Sequence, residues 1–110
     1  MMRTSEVTRK TKETDIQLSV NLDGSGRVEV DVEPKFFKHM LTSMFVHSGI
    51  DVTLVAEGDL QHHIIEDVAL CLGKAIRNSI TDLTEISRYG QAIIPMDCSL
   101  AMVALDVSNR

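Results

Sequence analysis

Cysteine is scarce in this chain. Only Cys71 and Cys98 occur in 110 residues, far apart and without any CxxC spacing. That leaves no disulfide framework and fits two free, buried thiols in a reducing cytoplasm. Long apolar runs are missing as well: none approaches the roughly 20 residues that cross a bilayer. The polar opening from Met1 to Thr14 lacks the pattern of a signal peptide. Positive charge is in the minority, 11 Lys and Arg against 16 Asp and Glu, for a net charge of −5. Such a balance argues against nucleic acid or an anionic membrane as partner, while leaving room for a local basic pocket. No linker or low-complexity segment interrupts the chain. What is present is a 44% hydrophobic sequence, one domain at most, with enough apolar residues for a modest core.

The first third reads as sheet. Thr8 to Glu13 is charged and threonine-rich, as in an edge strand or arm. Ile16 to Leu22 alternates strictly, and so does Val28 to Val32; Asp23-Gly24-Ser25-Gly26 between them predicts a hairpin turn. After Pro34 a helix is expected, with Phe36, Phe37, Met40, Leu41, Met44 and Phe45 at three-and-four spacing, closed by Ser48-Gly49. Val52, Leu54 and Ala56 alternate in a further strand, and Gly58-Asp59 turns into a second helix with the core stripe Ile65, Val68, Ala69, Leu72, Ile76 and Ile80. Two closing strands, Arg88 to Met96 and Ser99 to Val107, are joined at Pro95-Met96-Asp97. The order β-β-β-α-β-α-β-β predicts an α+β fold of the split β-α-β kind, helices on one face of the sheet. Residues 1–87 form the first unit. Residues 88–110 open a second, whose strands have no helix after them to cover the hairpin.

The adjacent pair His62-His63, with Glu66 after it, is the strongest chemical signal. On a helix, His62 and Glu66 are i and i+4 and stand on one face. His63 points roughly 100° away, so the two imidazoles suit two different ions. Imidazole and carboxylate without thiolate suit an octahedral divalent site such as Mn²⁺, and Zn²⁺ or Fe²⁺ is compatible by ligand type. The plainer alternative is a pair of exposed residues at a helix start, with a first-turn acid favoured by the helix dipole. His39 lies off the apolar stripe of the first helix, with His47 two turns on near the same side; such histidines are most often simply exposed. Glu13 reads equally as a strand charge paired with lysine. Arg88 and Arg110 read as solvated charges or as forks for phosphate.

Six motifs stand in one order along nearly the whole chain: Arg9-Lys10-Thr11-Lys12-Glu13-Thr14, Leu22-Asp23-Gly24-Ser25-Gly26, Phe36-Phe37-Lys38-His39-Met40-Leu41, Gly58-Asp59-Leu60 with His62-His63-Ile64-Ile65-Glu66-Asp67, Ser87-Arg88-Tyr89-Gly90, and Pro95-Met96-Asp97. In this the sequence resembles the imidazoleglycerol-phosphate dehydratase family of histidine biosynthesis. The resemblance implies an internally duplicated, ferredoxin-like β-α-β fold and a homo-oligomeric octahedral cage, a 24-mer, with Mn²⁺ sites at subunit contacts. It implies His39, His62, His63 and Glu66 as metal ligands, Glu13 as the acid/base group beside the substrate, and His47 in the substrate pocket. Arg88 and Arg110 match the arginines that hold the substrate phosphate. The implied activity is that of a cytoplasmic hydro-lyase acting on a small-molecule phosphate, D-erythro-1-(imidazol-4-yl)glycerol 3-phosphate, to give imidazole-acetol phosphate.

The sequence also departs from the family pattern. Lys38 stands where the family has Asp beside the ligand histidine, Ile64 where it has Thr, and Cys98 where it has Glu. The loop before the double histidine is shorter. The family's second half, with its own double histidine, glutamate and phosphate-binding lysine, would follow Arg110. These departures define an alternative expectation: a non-catalytic relative that keeps the oligomer-forming fold and metal binding. They also lead to the expectation that the 110-residue chain alone is loosely folded and inactive.

Overall fold

A computed structural model describes residues 2–108. By its contacts the chain forms two compact units, Met1–Ser79 and Ile80–Arg110. The residues between the second helix and the last two strands thus group with the second unit, because the buried face of that helix ends at Ser79.

The first unit is a four-stranded sheet with two helices on one face. Its strands are β1 (Thr4–Lys10), β2 (Thr14–Asn21), β3 (Val28–Asp31) and β4 (Asp51–Gly58); its helices are α1 (Lys35–Ser48) and α2 (Gln61–Ser79). Alternation works as the sequence predicts: Ile16, Leu18 and Val20 of β2 face inward with Val52, Leu54 and Ala56 of β4, while the residues between them face out. The sheet order, however, is β1-β2-β4-β3. The predicted hairpin between β2 and β3 does not form. β4 lies between them, antiparallel to β2 and parallel to β3, with Val28 opposite Val52.

The cause is local. An Asp51 carboxylate oxygen accepts the backbone N–H groups of Ser25 (2.9 Å) and Arg27 (2.8 Å), and the Arg27 carbonyl accepts the Val52 N–H at 3.0 Å. The Asp23–Gly26 turn therefore carries the chain past the start of β4 instead of back along β2. The hairpin in this unit joins β1 to β2, so β1 is the edge strand and ends at Lys10. Glu13 sits in the turn after it, not in a strand. That turn is closed by the Thr11 hydroxyl, which accepts the N–H groups of Glu13 (3.1 Å) and Thr14 (3.0 Å).

Helix α1 lies over β3 and β4, α2 over β1 and β2. Gly49 ends α1 in the left-handed conformation (φ 76°), as its place after Ser48 predicts. Only Leu41 and Phe45 of the predicted α1 stripe are buried, with Phe37 partly so; Phe36, Met40 and Met44 are exposed. A short strand beside a sheet edge covers a narrow stripe. The α2 stripe is also corrected, by one position: Ile64, Val68, Cys71, Leu72, Ala75 and Ser79 face the sheet, while Ala69 is exposed. Small residues on that side let the helix approach β1, where the Ser5 hydroxyl donates to the Ala75 carbonyl at 2.6 Å. Cys71 is buried, and burial pushes its thiol pKa up.

In the second unit a single 3₁₀ turn, Leu83–Glu85, precedes the antiparallel hairpin of β5 (Tyr89–Met96) and β6 (Ser99–Asp106). Met96 pairs with Ser99, so the turn is Asp97-Cys98, with Asp97 at φ 52°. Cys98 is exposed there, against the expectation of a buried thiol. Among the described residues no helix is long and apolar enough to cross a membrane.

Candidate metal and substrate site

Two turns at the same end of the sheet build the site. β4 ends at Gly58, and the chain needs only Asp59 and Leu60 before α2 begins at Gln61. The Asp59 N–H donates to the Glu13 carbonyl at 3.0 Å. A Cβ on Gly58 would lie 2.7 Å from Ile64 Cγ1 and 2.8 Å from the Glu13 carbonyl oxygen, so the close approach of the two turns requires glycine. A shallow hollow of about 380 Å³ lies here, lined by Lys12, Glu13, Thr14, Glu57 and Asp59 among others. A larger hollow, about 590 Å³, lies at the opposite end of the strands, around Thr4, Asn21 and Asp51. The smaller one holds Glu13 and Asp59, and Asp59 is bonded to His63, so the candidate chemistry lies there.

His62 and His63 open α2 with ring centroids 4.3 Å apart and planes tilted by 60°. His63 Nδ1 lies 2.7 Å from Asp59 Oδ1, one helical turn earlier. This hydrogen bond is the main cause of a raised His63 pKa, opposed by burial, with the charges of Asp59, Glu13 and Glu66 raising it further. The same bond is the main cause holding the Asp59 carboxyl below its usual range. Behind the site, buried Thr14 donates its hydroxyl to Asp67 Oδ2 at 2.6 Å, and Arg9 Nε stands 3.3 Å from the same oxygen. The Thr14 bond, first, and Arg9 lower the Asp67 pKa.

The structure thus gathers Glu13, His62, His63 and Glu66 at one end of the first unit. His39 and His47 are exposed on α1, which covers the other strands of the sheet. Among the described residues, no three or more His, Cys, Asp or Glu side chains gather as they would around a metal ion. His39 therefore does not complete a shell with His62, His63 and Glu66 inside one chain. In the second unit the Arg88 guanidinium is held by Asp106 through two bonds, Nε to Oδ1 at 2.6 Å and Nη2 to Oδ2 at 3.1 Å, and lies 5.1 Å from the Tyr89 ring centroid. Arg110 lies outside the described residues. Asp59 was not among the sequence-predicted site residues; its i, i+4 spacing to His63 is the signal that could have found it. Asp67 and Thr14, far apart in sequence, gave no such signal.

A profile of the imidazoleglycerol-phosphate dehydratase family matches residues 32–110. The imidazoleglycerol-phosphate dehydratase of Methanosarcina mazei is 52% identical over 112 residues, covering 99% of this chain and 59% of the relative. That of Lactococcus lactis subsp. cremoris is 49% identical over 115 residues, covering 99% and 58%. Among solved structures, imidazoleglycerol-phosphate dehydratase from Staphylococcus aureus superposes with a TM-score of 0.83 at 32% identity, covering 97% of this chain and 59% of that one. The Pyrococcus furiosus enzyme, in complex with (S)-C348, gives 0.80 at 36% identity, covering 94% and 56%. The chain spans about three fifths of the length of the curated relatives it matches. On sequence and fold alike, it belongs to the imidazoleglycerol-phosphate dehydratase family.

Proposed function

We propose that the protein acts as a metal-dependent imidazoleglycerol-phosphate dehydratase in cytoplasmic histidine biosynthesis, with this chain supplying Glu13, His39, His47, His62, His63, Glu66, Arg88 and Arg110 to the site. The observation that carries the reading is the double histidine with Glu66 at the start of α2, facing the turn that presents Glu13, in a chain of this family.

The donor set fits Mn²⁺: imidazole nitrogens and a carboxylate without thiolate, one imidazole already tied to a carboxylate through its other nitrogen. His39, His62, His63 and Glu66 would hold the ion. Because His39 does not gather with the α2 donors among the described residues, its contribution would come from another copy in a homo-oligomeric octahedral cage. When bound, the metal supplies Lewis acidity that stabilises charge developing on the substrate imidazole. The proton to be removed has no neighbouring carbonyl, so it is not acidic by itself. Glu13 is the positioned carboxylate that moves protons at the substrate carbons. Its backbone is fixed on both sides, by the Thr11 hydroxyl and by Asp59. His47 orients the substrate in its pocket. Arg88 and Arg110 bind the phosphate, for which the Arg88 fork exchanges its Asp106 partner.

The test is turnover of the racemate-free substrate by the purified oligomer, stripped of metal and then reloaded with Mn²⁺. The reading expects activity that disappears with the metal and returns with it. Substrate binding without any turnover in the reloaded oligomer would instead favour the non-catalytic relative, to which Lys38 beside His39 points.

A further inference from the structure

We propose that Asp59 is the positioning carboxylate of His63: it holds the neutral imidazole as the Nδ1–H tautomer and so presents Nε2 as the nitrogen free to ligate a divalent ion. This rests on the metal reading above. A carboxylate only accepts, so the ring nitrogen 2.7 Å from Asp59 Oδ1 must be the donor. A neutral imidazole has a single N–H, which leaves the lone pair on Nε2. The carboxylate is itself held. Oδ1 also accepts the Leu60 N–H at 2.7 Å, and the Asp59 backbone N–H is bound to the Glu13 carbonyl. The geometry depends on the short connection between β4 and α2, which puts Asp59 one helical turn before His63. Carboxylates in this position orient a ligating ring and raise its basicity. Asp59 acts through His63 and is no ligand itself.

Solid-state nitrogen NMR of the metal-free protein at alkaline pH, with His63 identified by loss of its signal in His63→Gln, reads the tautomer directly. The proposal expects Nδ1–H in the native protein and a shift toward Nε2–H in Asp59→Ala. Calorimetric titration with Mn²⁺ should then find affinity about 10- to 100-fold weaker in Asp59→Ala. Reading the native tautomer requires only that His63→Gln fold well enough to assign the signal, and does not depend on Asp59→Ala. An Nε2–H tautomer in the native protein, or the same tautomer in both proteins, overturns the proposal. If His63 is Nδ1–H but the native protein binds no Mn²⁺, the tautomer assignment stands and the metal reading falls.

Discussion

Thr14 is buried, yet its hydroxyl is spent on a carboxylate, Asp67, that α2 presents one residue after Glu66. A charge-assisted hydrogen bond of this kind is among the stronger single ties available to a side chain. Here it fastens the β1–β2 turn to the helix that carries the histidines, so Glu13 cannot drift from His63 without breaking it. Arg9 adds an exposed and weaker hold on the same oxygen. In the proposed function the labour divides sharply: Glu13 would work on substrate, while Asp59 and Asp67 keep it and His63 in place. Glu13→Gln should therefore lower turnover by about 10²- to 10⁴-fold, the usual contribution of a positioned acid–base group, with metal content unchanged. Rates and bound metal measured on the same preparation check this. Turnover that survives the substitution would return Glu13 to a structural role in its turn.

At the scale of elements, the strands were legible because period-two alternation reports a half-buried sheet directly, and Gly49 marked the end of α1 for a stated steric reason. Pairing was not legible. Asp23-Gly24-Ser25-Gly26 announces a turn but not its partner; that choice is made by Asp51, twenty-five residues beyond in sequence, capturing the loop's backbone N–H groups. The one-position error in α2 has a similar origin. Two adjacent helical rows both carry aliphatic residues, and the row with Cys71, Ala75 and Ser79 wins because small side chains let α2 settle onto β1. For the site, the ligand-type residues could be read from the sequence and Asp59 carries a signal in its spacing to His63, whereas the Thr14–Asp67 tie emerges only once the β1–β2 turn meets α2. The Asp51 tie has a pH signature. Its carboxyl sits below the ordinary 3.8, chiefly through the Arg27 N–H and then that of Ser25. A lowered folded-state pKa stabilises above the unfolded value and is lost as pH falls through the folded one. Denaturant unfolding should find native protein more stable than Asp51→Ala at neutral pH, with that advantage shrinking once the pH drops below 3.8. A difference independent of pH would assign the loop's course to other contacts.

At the scale of the whole molecule, each unit leaves apolar surface without cover of its own. Phe36, Met40 and Met44 are exposed along α1, and Ile93, Ile94, Leu100, Met102 and Leu105 are exposed on the β5–β6 hairpin. Contiguous apolar patches on this scale mark association surfaces, and an uncovered strand pair offers open edges besides. The chain should migrate as an oligomer in sedimentation, with little binding of a hydrophobic dye once assembled; a stable monomer that binds no dye would contradict this. Oligomerisation is also what the metal reading needs, since among the described residues of one chain His39 does not gather with the α2 donors.

That reading is tested most directly by metal content. The oligomer, purified without chelator, is subjected to elemental analysis beside a His62→Ala, His63→Ala double variant shown to assemble to the same size. The account predicts bound divalent metal in the native protein and its loss from the variant; equal metal in both would contradict it.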